Sequence, residues 1–232
     1  MADRAGKRSR GERAGLSREL VLDTALQLVD REGLRGLSMR RLGGALGVEA
    51  MTLYHYVPSK EALLDGLVER VFAEALPPSV EGAPWQEQLL GYAASLRETL
   101  LRHPGVLPLA VTRPMATPAG LDAVERGLGA LTGAGFPLGR ALDAFNALSL
   151  FVVGHTAAEV GVGSDADPEG RTPGSAGSLA RLDAARYPLL TEAARTGTGA
   201  DDAERFGFAA KALVTGFAAG VGAESGGAGR LR

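Results

Sequence analysis

The 232-residue chain contains no cysteine, three histidines and one tryptophan, and only 5% of it is aromatic. Without cysteine there is no disulfide scaffold, no thiolate metal site and no cysteine nucleophile, a pattern that suits a protein working in a reducing cytoplasm. Three histidines leave little for metal chemistry. The longest strongly apolar stretch, Leu148 to Val153, falls far short of the roughly 18 residues a spanning helix needs, so no membrane-integral segment is expected. Arg4, Lys7, Arg8, Arg10 and Arg13 make the amino terminus basic, but no apolar run follows, so it does not read as a secretory signal. No stretch alternates with period two. There is also no paired nucleophile and base, no Gly-rich phosphate loop leading into a helix and no metal-ligand spacing; the 33 glycines are scattered. An enzyme is therefore not expected, and no cofactor or metal is implied.

Apolar residues make up 45% and charged residues 22%, the balance of a globular chain rather than a disordered one. The formal charge of −2 hides an asymmetry: residues 1–60 hold 11 Lys+Arg against 7 Asp+Glu, and the remainder 14 against 20. A basic head on an acidic body fits a nucleic-acid reader with a separate non-binding domain. Chance clustering of charges on solvated faces would give the same count.

Helical punctuation organises the rest. Residues 1–15 are Arg/Gly/Ser-rich and read as a flexible basic arm. Ser17 is an N-cap candidate for a helix over 17–32, Ser38 for one over 38–46, and Ser59 for one carried by Leu63, Leu64, Leu67, Val68, Val71, Phe72 and Leu76. Between the last two, Gly47-Val48-Glu49 makes a tight turn into a short helix over 50–56 that Pro58 must stop. Further helical patterns span 85–103, 119–132, 138–161 and 202–221. Residues 161–178 read as a long mobile loop and 224–232 as a frayed tail. The fold class is all-α. Helices 138–161 and 202–221 are apolar around almost their whole circumference, so each is either central in the core or half core and half interface. Both carry small residues suited to close packing, and a homodimer through them is expected.

The ordered set Arg31-Glu32-Gly33, Gly36-Leu37-Ser38-Met39-Arg40-Arg41-Leu42, Leu46-Gly47-Val48, Thr52-Leu53-Tyr54-His55-Tyr56-Val57 and Ser59-Lys60-Glu61-Ala62-Leu63-Leu64 resembles the tetracycline-repressor family of bacterial transcriptional regulators. The resemblance implies a three-helix helix-turn-helix DNA-binding domain over 16–62 and a larger helical ligand-binding and dimerisation domain over 63–223. The residues support a reading helix independently. Leu53 and Val57, four apart, would face the core with Leu42, Leu46 and Val48, leaving Ala50, Met51, Thr52, Tyr54, His55 and Tyr56 outward to meet base edges or phosphates. By similarity Thr52, Tyr54 and Tyr56 contact DNA, Arg40 reaches a base or a phosphate, and Lys60 a phosphate. Ala50 and Met51 replace the glutamine and proline of the tetracycline repressor itself, so that repressor's operator is not carried over.

Trp85-Gln86, Thr112-Arg113-Pro114, Gly135-Phe136-Pro137-Leu138 and Ala141-Leu142 extend the resemblance through most of 16–222. Aligned on these landmarks, Leu76 and Leu109 stand where the tetracycline repressor has two histidines near its metal, Ala158 where it has an acid, Tyr92 where it has an asparagine and Leu96 where it has a phenylalanine. A hard cation needs oxygen or imidazole ligands, and leucine and alanine offer none. An apolar pocket without metal is expected, holding an unknown effector less polar than magnesium–tetracycline, with Arg113, Asn146, His155 and Glu159 as further liners. The structural alternative makes Asn146, His155 and Glu159 satisfied core or interface residues, and His103 merely a helix end. The expected function is a cytoplasmic repressor released from a palindromic operator in double-stranded DNA by its effector; a sequestering protein whose head does not read DNA is the alternative.

Overall fold

A computed structural model describes residues 15–76, 82–113, 118–161, 182–197 and 201–227. Ten α-helices run in chain order among these residues: α1 (Arg18–Glu32), α2 (Met39–Leu46), α3 (Ala50–Leu53), α4 (Lys60–Glu74), α5 (Trp85–Arg102), α6 (Leu107–Thr112), α7 (Pro118–Gly133), α8 (Leu138–Glu159), α9 (Pro188–Thr196) and α10 (Asp202–Gly227). Short 3-10 turns precede α2 and α6. No strand occurs among the described residues.

The three serine caps read in the sequence all form. Ser17, Ser38 and Ser59 accept hydrogen bonds from the backbone N–H of Leu20, Arg41 and Ala62 at 3.1, 3.2 and 3.0 Å, each contributing about 1 kcal/mol to its helix. At the exposed start of α1 the backbone amide of Glu19 and the Ser17 hydroxyl hold the Glu19 carboxyl below its usual range. The far ends of α1 and α2 close on glycine, and α2 ends at Gly47 with φ 68°, a left-handed conformation that favours glycine.

The described chain falls into two compact units: Met1–Pro78 with Glu98–Arg126, and Ser79–Arg97 with Gly127–Arg232. In the first, α1 buries Val21, Leu22, Ala25, Leu26, Leu28 and Val29 against α2, α4 and the 3-10 turn at Pro104–Val106, and α4 also packs on α6. Arg18 and Arg70 pair with Glu69 and Asp23 between α1 and α4 at 2.7 and 2.6 Å, and Arg41 pairs with Glu32 between α2 and α1. In the second, α8 packs along α10. Ala141, Ala144, Phe145, Leu148, Val152, Val153 and Thr156 of α8 and Phe206, Ala210 and Val214 of α10 are buried, and Trp85 meets Phe136 edge-on at 4.9 Å.

Several expectations change. The helix read over 50–56 is helical only over 50–53; beyond Leu53 the backbone tightens, with N–H groups of His55 and Tyr56 bonding three residues back, and Pro58 follows. Two short helices were missed, α6 and α9; both have proline in the first turn, which reads as a break although it suits a helix start. The longest strongly apolar run is only Leu148–Val153, yet by length and composition alone one helix is long and apolar enough to cross a membrane. Among the described residues α8 has 22 residues and a mean hydropathy of 1.2 in its most apolar window, because isolated Asn146, Ser149 and His155 do not interrupt its length. The inward half of α8 is nevertheless core, as its buried residues show. The helix α10 continues to Gly227, into the segment read as a tail. Residues 1–14 of the expected arm and 162–178 of the expected loop lie outside the described residues.

Candidate functional site

The short helix α3 is set by its neighbours rather than by its own length, since four residues cannot sustain a helix alone. Gly47 closes α2 by donating its N–H toward the carbonyls of Gly43 and Gly44, and the Val48 N–H bonds the Gly43 carbonyl at 2.9 Å. At Gly43 the chain passes so close that a Cβ would stand 2.8 Å from the Val48 carbonyl oxygen and 3.2 Å from the Ala50 nitrogen. Leu53 and Val57 are fully buried and anchor the other side. A residue two positions from Leu53 lies roughly opposite it on a helix, and that residue is Met51.

The outward surface is therefore the expected one in part. Met51, Tyr54 and His55 are exposed; Ala50, Thr52 and Tyr56 are half-buried. Arg40, in the first turn of α2, is exposed and has no ion-pair partner among the described residues, whereas its neighbour Arg41 is held by Glu32. Lys60 is exposed directly after the Ser59 cap. Leu46 and Val48, read as core, are only half-buried, because they flank the turn.

The eight candidate effector residues divide between the two units. Leu109 is buried and Leu76 half-buried in the first. Arg113, at the end of α6, is committed to α4: its guanidinium pairs with the carboxylates of Glu61 and Asp65 and reaches the Glu61 carbonyl at 3.4 Å. Those hydrogen bonds raise its pKa further. Nearby, His103 is more than a helix end. Its Nδ1 stands 2.9 Å from Asp30 of α1 and its Nε2 3.4 Å from Glu74 of α4; burial pushes the Glu74 carboxyl up, but Arg102 and His103 outweigh it and hold it below the usual range.

In the second unit Tyr92 and Leu96 of α5 are buried. Tyr92 stacks on Phe145 at 5.2 Å, and burial raises its hydroxyl's pKa, only partly offset by Ser149 at 3.4 Å. Glu159 takes a two-pronged hydrogen bond from Arg97, Nε to Oε2 at 2.9 Å and Nη2 to Oε1 at 2.6 Å. The Arg97 guanidinium also lies over the Phe206 ring at 5.2 Å, and His155 packs against both Phe151 and Phe206, which stack on each other, with Nε2 3.3 Å from the Asp202 carbonyl oxygen. So His155 and Glu159 do come together, satisfied by protein groups. Asn146 does not join them. It is exposed, one helical turn from Leu142 and Leu150 on the outward face of α8, because positions four apart share a face. Arg97, Phe151 and Phe206 were not anticipated; nothing local marks Arg97, whose partner lies 62 residues on. Among the described residues no group of three His, Cys, Asp or Glu gathers to hold a metal ion.

Comparison with known proteins finds relatives along most of the chain. Residues 21–67 match the family model described as "Bacterial regulatory proteins, tetR family", and residues 77–221 the one described as "Tetracyclin repressor-like, C-terminal domain". An HTH-type transcriptional regulator of Saccharopolyspora erythraea is 36% identical over 209 residues, covering 90% of this chain and 87% of its own length. The tetracycline repressor protein class D of Escherichia coli is 35% identical over 216 residues, covering 88% and 90%. Among solved structures, apo ActR of Streptomyces coelicolor is similar at a TM-score of 0.78 and 30% identity, covering 90% of this chain and 98% of its own. The same protein in complex with actinorhodin is similar at 0.74, also at 30% identity, covering 89% and 99%.

Proposed function

The chain belongs to the tetracycline-repressor family of DNA-binding, ligand-responsive transcriptional repressors, and from that premise we propose that it binds a palindromic operator as a homodimer and is released by a small, largely apolar effector. The observation that carries DNA reading is the exposure of Met51 on α3 and of Tyr54 and His55 in the turn that follows it, with Arg40 and Lys60 exposed beside them. Residues 16–62 read the DNA; residues 63–223 bind the effector and pair two copies. As a DNA-bound regulator it works in the cytoplasm and needs no catalytic group.

For the effector, Tyr92 and Leu96 supply an apolar and aromatic wall, and His155 with the Arg97–Glu159 pair supplies polar anchors. ActR has been solved with actinorhodin bound, and a largely apolar effector suits an apolar and aromatic wall. Leucine at 76 and 109 argues against a metal-borne drug. Arg113, expected among the liners, is assigned instead to holding α6 on α4. Effector binding lowers operator affinity only by its preference for the DNA-incompetent arrangement.

The test is selection from random duplex DNA by the purified protein at about 150 mM salt, which suppresses non-specific phosphate binding. Enrichment of a palindrome with half-sites about one helical turn apart is the expected result. A folded protein that enriches nothing would be a sequestering protein instead.

A further inference from the structure

The reading helix's most exposed side chain carries no strong hydrogen-bonding group. Met51 is 72% exposed, far beyond the half-buried Ala50 and Thr52 on either side of it. An isolated exposed methionine elsewhere on the surface would mean little. Here its position is over-determined: the fit of Gly43 against the Val48 carbonyl and the Ala50 nitrogen leaves no room for α3 to sink toward α2, and the buried Leu53 and Val57 prevent it from rotating. The chain holds a flexible, polarisable, predominantly apolar group at the tip of the surface it offers to the major groove.

Base edges in that groove carry donors and acceptors, with one apolar exception, the C5-methyl group of thymine. A methionine set against a guanine or cytosine edge would cover polar atoms and return no strong hydrogen bond to them. Against a thymine methyl it removes apolar surface from water on both sides, and its unbranched chain adapts to the fit. We propose that Met51 is a specificity-determining residue that selects thymine, through its C5-methyl, at one position in each operator half-site. The inference rests on the DNA-reading proposal above and adds to it the chemical identity of a base.

Removing that methyl alone is possible, because deoxyuridine pairs as thymidine does and lacks only the C5-methyl. On the duplex enriched by selection, each thymidine is replaced in turn by deoxyuridine and affinity is measured by fluorescence anisotropy with the full-length protein and with the M51A variant. At one thymidine per half-site the unsubstituted protein is expected to lose about fourfold in affinity, the effect of burying one methyl-sized group. M51A is expected to bind the thymidine duplex more weakly by a similar factor and to be indifferent to deoxyuridine at that position. Met51 is mostly exposed and buries little in the fold, so the variant is expected to melt close to the parent protein. Retention of full affinity at every deoxyuridine position, or an M51A protein that still loses affinity on methyl removal, would overturn the assignment while leaving operator binding intact. No enriched duplex at all would overturn the DNA-reading proposal and this one with it.

Discussion

Arg97 shows how a residue with no local signature becomes structurally decisive. It follows Leu96 on α5, where a charge enters a row of buried apolar positions, and it persists there because a fork-shaped cation can satisfy a carboxylate with two hydrogen bonds at once. Both side chains of the Arg97–Glu159 pair are only 17% and 16% exposed, and Phe206 covers the guanidinium face. Removing one partner strands the other in a weakly solvated site. R97M and E159L are each expected to lower the stability measured by urea unfolding by about 2–4 kcal/mol, and the R97M/E159L double variant to lose less than the sum. Strict additivity would mean that the two side chains act independently. The sequence pointed to Glu159 and His155 because polar groups on an apolar helix stand out, but it could not pair Glu159 with Arg97 on α5. Ion pairing depends on distance in space, and helical periodicity carries no information about which two helices face each other.

Among the elements, the α2–α3 junction is the most constrained, and its two adjacent glycines separate packing from propensity. Gly43 sits against backbone atoms that cannot rotate away, whereas nothing lies within 4 Å of a Cβ built on Gly44. G43A is expected to push α3 outward, lower stability by about 1–3 kcal/mol, the usual cost of overpacking, and weaken operator binding at least tenfold. G44A is expected to raise stability by up to about 1 kcal/mol through helix propensity and to leave binding unchanged. Thermal melts and anisotropy on both variants check the pair. Equal effects from the two would show that flexibility of α2, not the close approach, is what matters. The tight turn was readable from Gly47, whose φ of 68° closes α2. The close approach was not, because Gly43 and Gly44 look alike in sequence and differ only in what stands opposite them.

At the level of the whole molecule, the two helices that are apolar all round divide their circumference. One side of α8 and α10 is core, and the other presents Leu138, Leu142 and Leu150 from α8, with Leu150 72% exposed, and Phe208 from α10, 77% exposed. Of the two explanations open from the sequence, half core and half interface is the one these faces favour, and it underlies the proposed homodimer. L150E combined with F208E is expected to give a monomer by light scattering that keeps its helical circular dichroism and loses at least tenfold in affinity for the palindrome, since one head then holds one half-site. A double variant that remains dimeric would place the interface elsewhere.

The sequence by itself determined the helical class, the three serine caps, the tight turn before α3 and the burial of Leu53 and Val57, because each follows from bonds and spacings within a few residues of one helix. It also carried the family, through motifs spread in order along most of the chain. Tertiary structure decided which polar groups meet: Arg113 turned to α4, Asn146 turned outward, and Glu159 bound to Arg97. It decided, too, that α3 stops at Leu53 and that Ala50, Thr52 and Tyr56, read as outward, are half-buried. These depend on contacts between residues far apart in the chain, whose free energies appear only once the helices have packed.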